Sequence, residues 1–94
     1  MYDIVEIVDI WTSWCKPCLL IESIMEDLVK KYIDKIKVTR INVNDENQET
    51  LDKYKVKTIP TILFFKNGEV VNRVTGIVSK RKIEQIILKL INLE

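Results

Sequence analysis

The hydrophobic pattern of the chain switches between a period of two and a period near 3.6, and the order of the switches predicts its architecture. Ile4–Ile10 interleaves Ile and Val with acids, then turns apolar through Val8, Ile10 and Trp11, as a strand entering a core would. From Cys15 to Ile33 the spacing becomes helical. Leu20, Ile24 and Leu28 recur every four residues, and Ile21, Met25, Leu28 and Tyr32 form the adjoining stripe. Pro17 falls in the first turn of that helix, where a missing N–H costs nothing. Ile36–Val43 returns to strand character, with Lys35, Lys37 and Arg40 placed along it. Asp45–Lys55 reads as a short polar helix held by Leu51 and Tyr54. After Pro60, Thr61–Phe65 is a largely apolar strand, and Lys66-Asn67-Gly68-Glu69 is a hairpin turn into Val70–Thr75. Gly76 breaks that strand. Ser79 then caps a last helix with Ile83, Ile86, Ile87, Leu90 and Ile91 on its apolar face.

The order β-α-β-α-β-β-α predicts an α/β domain spanning residues 1–94. Its βαβ start implies a parallel, right-handed strand pair, and the hairpin adds two antiparallel strands. A four-stranded mixed sheet flanked by helices on both faces is the natural packing. No internal repeat, linker or low-complexity stretch interrupts it.

Composition narrows the chemistry. Apolar residues make up 47% and charged residues 31% of 94, a globular balance. Fifteen Lys and Arg against fourteen Asp and Glu leave a formal charge of +1, so no overall field draws nucleic acid or an anionic membrane. No apolar run approaches the roughly 20 residues of a membrane helix. The opening MYDIVEIVDI carries acids where a secretory signal has a basic region, so a cytoplasmic location is expected. There is no His, which excludes Ser-His and Cys-His triads and His-ligated metals. The two cysteines, Cys15 and Cys18, stand three apart. A structural zinc site needs four ligands, and nothing here completes one, so no metal is expected. A scaffold disulfide closing so short a loop would contribute little to stability. A redox-active dithiol is the reading that remains.

Nearly the whole chain resembles thioredoxin. Val8-Asp9-Ile10-Trp11 followed by Trp14-Cys15-Lys16-Pro17-Cys18 is similar to the family's strand-to-active-site segment. Lys57-Thr58-Ile59-Pro60-Thr61 and Phe64-Phe65-Lys66-Asn67-Gly68 are similar to its cis-proline segment and hairpin, and Thr75-Gly76 to the glycine before its last helix. The chain opens almost directly on the central strand, so the resemblance implies a short version of the fold without the usual first strand and helix. Lys16 stands where most thioredoxins have Gly, and Arg40 where they usually carry Lys. That shortened sheet would leave Ile36–Val43 at an edge, with Lys35 and Lys37 as charges that discourage further pairing.

The implied activity is thiol-disulfide exchange, with protein disulfides as substrates and a thioredoxin-reductase-type electron donor. The redox couple is Cys15–Cys18 itself, with no further cofactor. A helix N-terminus favours a thiolate at Cys15, the expected nucleophile, and Cys18 one turn on is the resolving thiol. The resemblance implies a buried Asp9 as proton acceptor and donor for Cys18, with burial raising its pKa and a nearby cation lowering it. Arg40 cannot release a proton, so no relay runs through it. The resemblance also makes the Ile59-Pro60 bond cis and frees the Ile59 backbone to pair with an extended substrate. Trp14, Ile59, Pro60 and Gly76 are expected to bind substrate, and Lys16, Pro17 and Arg40 to modulate the dithiol. Trp11 is expected in the core. Lys80, Arg81 and Lys82, with Lys57 and Lys16, are expected to form a positive rim around a monomer. Two readings stay open beside this one: a glutathione-dependent, glutaredoxin-like reductase and a redox-silent binding module on the same fold.

Overall fold

In the computed structural model, which describes residues 4–43 and 48–92, strand β1 (Val5–Trp11) runs through the middle of the sheet. Helix α1 (Lys16–Lys31) carries the chain to strand β2 (Ile36–Asn42), helix α2 (Gln48–Lys53) to the hairpin of β3 (Thr61–Lys66) and β4 (Glu69–Thr75), and helix α3 (Lys80–Ile91) follows. The strands lie in the order β2-β1-β3-β4. β1 pairs parallel with β2 and antiparallel with β3, and β3 pairs antiparallel with β4. The expected mixed sheet is therefore present, and β2 is an edge strand. The expected start of the second helix at Asp45 lies outside the described residues.

Local chemistry explains most boundaries. Cys15 takes an extended conformation as the N-cap of α1, and its Sγ accepts the Cys18 N–H at 3.3 Å. Pro17 sits in the first turn as expected. Lys30 and Lys31 lie in the last turn, where the helix dipole favours cations, and the helix stops at Tyr32, short of the expected Ile33. The hairpin turns through Asn67 and Gly68, both with positive φ, as a tight two-residue turn requires. A bulge between Phe64 and Phe65 adds Val71 to β4. Ser79 caps α3 by accepting the Lys82 N–H at 3.1 Å, and Lys66 Nζ donates to Leu90 O at the other end.

Two apolar clusters flank the sheet. On one face Val5, Ile7, Ile62 and Phe64 pack against Ile21, Met25 and Leu28 of α1 and Ile83, Ile86 and Ile87 of α3. On the other, Ile10, Leu63 and Phe65 pack with Leu51, and Tyr54 meets the Phe65 ring edge-on at 5.4 Å. β3 is covered on both faces and buried from Thr61 to Phe65. Leu20 corrects the helical reading, because it is 67% exposed. The buried row runs Cys18, Ile21, Met25, Leu28, and Leu20 lies off it.

Candidate active site

Strand polarity assembles the site. β3 begins and β4 ends where β1 ends, since Ile10 pairs with Thr61 and Thr61 with Thr75. The Trp14–Cys18 segment after β1, the Ile59-Pro60 segment before β3 and Gly76 after β4 therefore meet at one end of the sheet. Hydrogen bonds knit that end together: the Gly76 N–H donates to Pro60 O at 2.9 Å, and Thr61 Oγ1 donates to Thr58 O at 2.5 Å. The Ile59-Pro60 bond is cis, with Ile59 half-buried and Pro60 buried. Gly76 has φ +77, and a Cβ there would meet nothing within 4 Å, so its backbone angle rather than crowding favours glycine.

Cys15 and Cys18 are joined as a disulfide with Cα atoms 5.3 Å apart. Their exposures differ. Cys15 is half-buried at the helix entrance, whereas Cys18 is fully buried one turn in. The Cys15 N–H donates to Thr12 O at 3.3 Å, and the Cys18 N–H points at Cys15 Sγ, where it also favours a thiolate. Trp14 beside the pair is 78% exposed, and Ile77 just past Gly76 is 83% exposed.

Asp9 lies two residues before the end of β1, with no exposed surface, on the face that α1 and α3 cover. The parallel register sets it level with Arg40 of β2, whose Nε donates to Asp9 Oδ2 at 3.1 Å. Burial raises the Asp9 pKa above the ordinary carboxylate value; the Arg40 hydrogen bond and charge offset part of that rise, and the Glu22 charge adds to it. Asp9 Oδ1 accepts no hydrogen bond among the described residues.

The thioredoxin family model matches residues 3–89. A thioredoxin of Bacillus subtilis (strain 168) is 42% identical over 85 residues, spanning 90% of this chain and 81% of that one. This chain belongs to the thioredoxin family. A chloroplastic M-type thioredoxin of Pisum sativum is 44% identical over 85 residues, 90% of this chain but 49% of its own length. A solved structure described as "Structure of a malarial protein" superposes with a TM-score of 0.81 at 26% identity, covering 96% of this chain and 99% of that one. With the Cys15–Cys18 disulfide formed, the chain is a thioredoxin-type thiol-disulfide oxidoreductase acting on protein disulfides.

Of the residues singled out in the sequence, Trp14, Cys15, Pro17, Cys18, Ile59, Pro60 and Gly76 sit at one end of the sheet, and Asp9 and Arg40 pair behind them. Lys16 is exposed at the first helical position of this thioredoxin. Trp11 corrects the core assignment: it is half-buried, with the Arg40 guanidinium 4.3 Å from its ring centroid. The basic rim is thinner than expected, since Lys80 Nζ lies 3.4 Å from Asp27 Oδ2, while Lys57, Arg81 and Lys82 are exposed. Glu22, which holds the far side of Arg40 at 3.3 Å, has no signal in the sequence beyond its place one turn after Cys18. Among the described residues no three His, Cys, Asp or Glu side chains form a metal cluster, and no helix is long and apolar enough to cross a membrane.

Proposed function

We propose that residues 1–94 act as one domain, a cytoplasmic protein-disulfide reductase that carries electrons from a thioredoxin-reductase-type donor to target proteins and helps hold the thiol balance of the cell. The observation that carries this reading is the asymmetry of the pair at the start of α1, Cys15 at the surface and Cys18 beneath it. The Cys15 thiolate attacks one sulfur of a target disulfide and expels the other as a thiolate, leaving a mixed disulfide. Asp9 takes the Cys18 proton. The Cys18 thiolate then attacks Cys15 Sγ, the mixed disulfide breaks, and the second target thiol leaves. Two electrons have passed to the target, and the protein is left in its Cys15–Cys18 disulfide form. No added cofactor takes part.

Exposed Trp14 and Ile77, with Ile59, Pro60 and Gly76 at the same end of the sheet, support an apolar surface on which an extended target segment pairs with the Ile59 backbone. Lys16, Pro17 and Arg40 modulate the dithiol, and the protein works as a monomer. The decisive experiment is reduction of insulin disulfides, driven either by a thioredoxin reductase or by glutathione. Efficient turnover with the first and little with the second is expected; the reverse result would sink the donor assignment. Cys18→Ser is expected to trap targets as mixed disulfides on Cys15. Normal multi-turnover reduction by that variant would reverse the two cysteine roles.

A further inference from the structure

Arg40 is held from three sides. Its Nε donates to Asp9 Oδ2 at 3.1 Å, its Nη1 forms an ion pair with Glu22 Oε1 at 3.3 Å, and its Cζ lies 4.3 Å from the Trp11 ring centroid. Glu22 is one turn beyond Cys18, so this guanidinium ties the helix of the cysteines to the strand beside Asp9. We propose that Glu22 is a positioning residue that, through Arg40, sets how firmly Asp9 holds its proton. Its bearing on catalysis rests on the reading of Asp9 as proton acceptor for Cys18.

The physical basis is competition for one cation. A guanidinium presents its donors in a rigid planar fork, so it can serve two carboxylates at once but cannot turn fully to both. The Trp11 ring covers one side of that fork, its centroid 4.3 Å from Arg40 Cζ. Glu22, at the 40% exposed outer end, draws the guanidinium away from Asp9 at the buried end. Its own negative charge also disfavours ionised Asp9. Both effects push in the same direction, towards a carboxyl that keeps its proton. The other elements around Asp9 are apolar: β3 sets Ile62 beside it, and α3 packs on that face through Ile83, Ile86 and Ile87. Among the described residues, Arg40 from β2 and Glu22 from α1 are the charged groups that act on it, while Glu26 and Lys30 line the same groove further from the cysteines.

Losing Glu22 and losing Arg40 must then act in opposite directions. The test is a carbon-detected NMR titration of the Asp9 carboxyl in the oxidised protein, assigned with Asp9→Asn. At the wild-type midpoint, Glu22→Gln is expected to raise the ratio of ionised to protonated Asp9 about threefold, the scale of one partly exposed ion pair. Arg40→Met is expected to lower it about tenfold. Glu22→Gln should lose most of its effect in the Arg40→Met background. If Arg40→Met does not fold, Arg40→Gln serves, because it keeps a polar side chain and removes the cation. An unchanged midpoint in Glu22→Gln, a shift the other way, or a shift of undiminished size after the loss of Arg40 overturns the proposal. The pH profile of Cys18 resolution in single turnovers separates the two claims. A profile that moves with the carboxyl supports both; one that stays put while the carboxyl titration moves removes Asp9 from the proton transfer and leaves the Glu22–Arg40 coupling standing.

Discussion

Val5 and Ile7 share a strand face with Asp9, and all three are fully buried. Their environments differ. Val5 and Ile7 lie in the closed apolar core between the sheet, α1 and α3, where burial stabilises the fold. Asp9, a further step along the same face, is desolvated beside one half-exposed cation. The same geometric position holds apolar side chains at one end of β1 and an ionisable one at the other, and at the second end burial works against stability. What changes between them is the proximity of the dithiol helix start and of Arg40.

The largest effect that separates the two ends is on chemistry. Cys15→Ser should abolish turnover while the unfolding midpoint stays close to that of the reduced wild type, measured by denaturant titration beside insulin reduction. A variant that unfolds instead would make the pair structural. At the other end, Ile7→Ala should cost about 3 kcal/mol of stability through the lost burial and the cavity it leaves. Its activity per folded molecule, measured well below its unfolding transition, should match wild type.

Asp9→Asn should divide the two quantities. Resolution by Cys18 should slow on the order of 10²-fold, as loss of a positioned proton acceptor does, while the first attack by Cys15 is unaffected in rapid mixing. Stability should move the other way. The folded protein holds Asp9 above its ordinary value of 3.8, so folding favours the protonated carboxyl. Its stabilising contribution is complete below that value and is lost as the pH rises through the raised one. At neutral pH the ionised carboxylate is a burden, and Asp9→Asn should be more stable by on the order of 1 kcal/mol, a gain that vanishes in acid. A gain that is instead largest in acid would show that the Asp9 pKa is lowered by folding.

The smallest effect belongs to Lys16. Its exposed ammonium is next to Cys15 in sequence and favours the thiolate, so Lys16→Gly should be the stronger reductant, by at most about 20 mV. A more oxidising potential in that variant would refute the direction.

The sequence carries the periodic and covalent part of this protein. The last helix presents Ile83, Ile86, Ile87 and Leu90 to the core as their spacing dictates, and Asn67-Gly68 makes the hairpin because both positions need positive φ. Cys15, Pro17 and Cys18 already define a capped helix start with two thiols one turn apart. These features are legible because they are set by neighbours within a few residues. Leu20 and Trp11 lie nearer the surface than their local pattern implies, since the phase of a helix face and the depth of a strand end depend on what packs against them. The Asp9–Arg40 pair spans 31 residues, and it exists because β1 and β2 pair in one parallel register. A shift of one residue would carry Arg40 to the other face of the sheet. Glu22 completes the triad because α1 crosses above that same pair of strands. Local spacing determined which sulfur chemistry this chain performs; the tertiary register alone decided which charges surround Asp9, because residues far apart in sequence share an electrostatic field only when the fold brings them within a few ångströms.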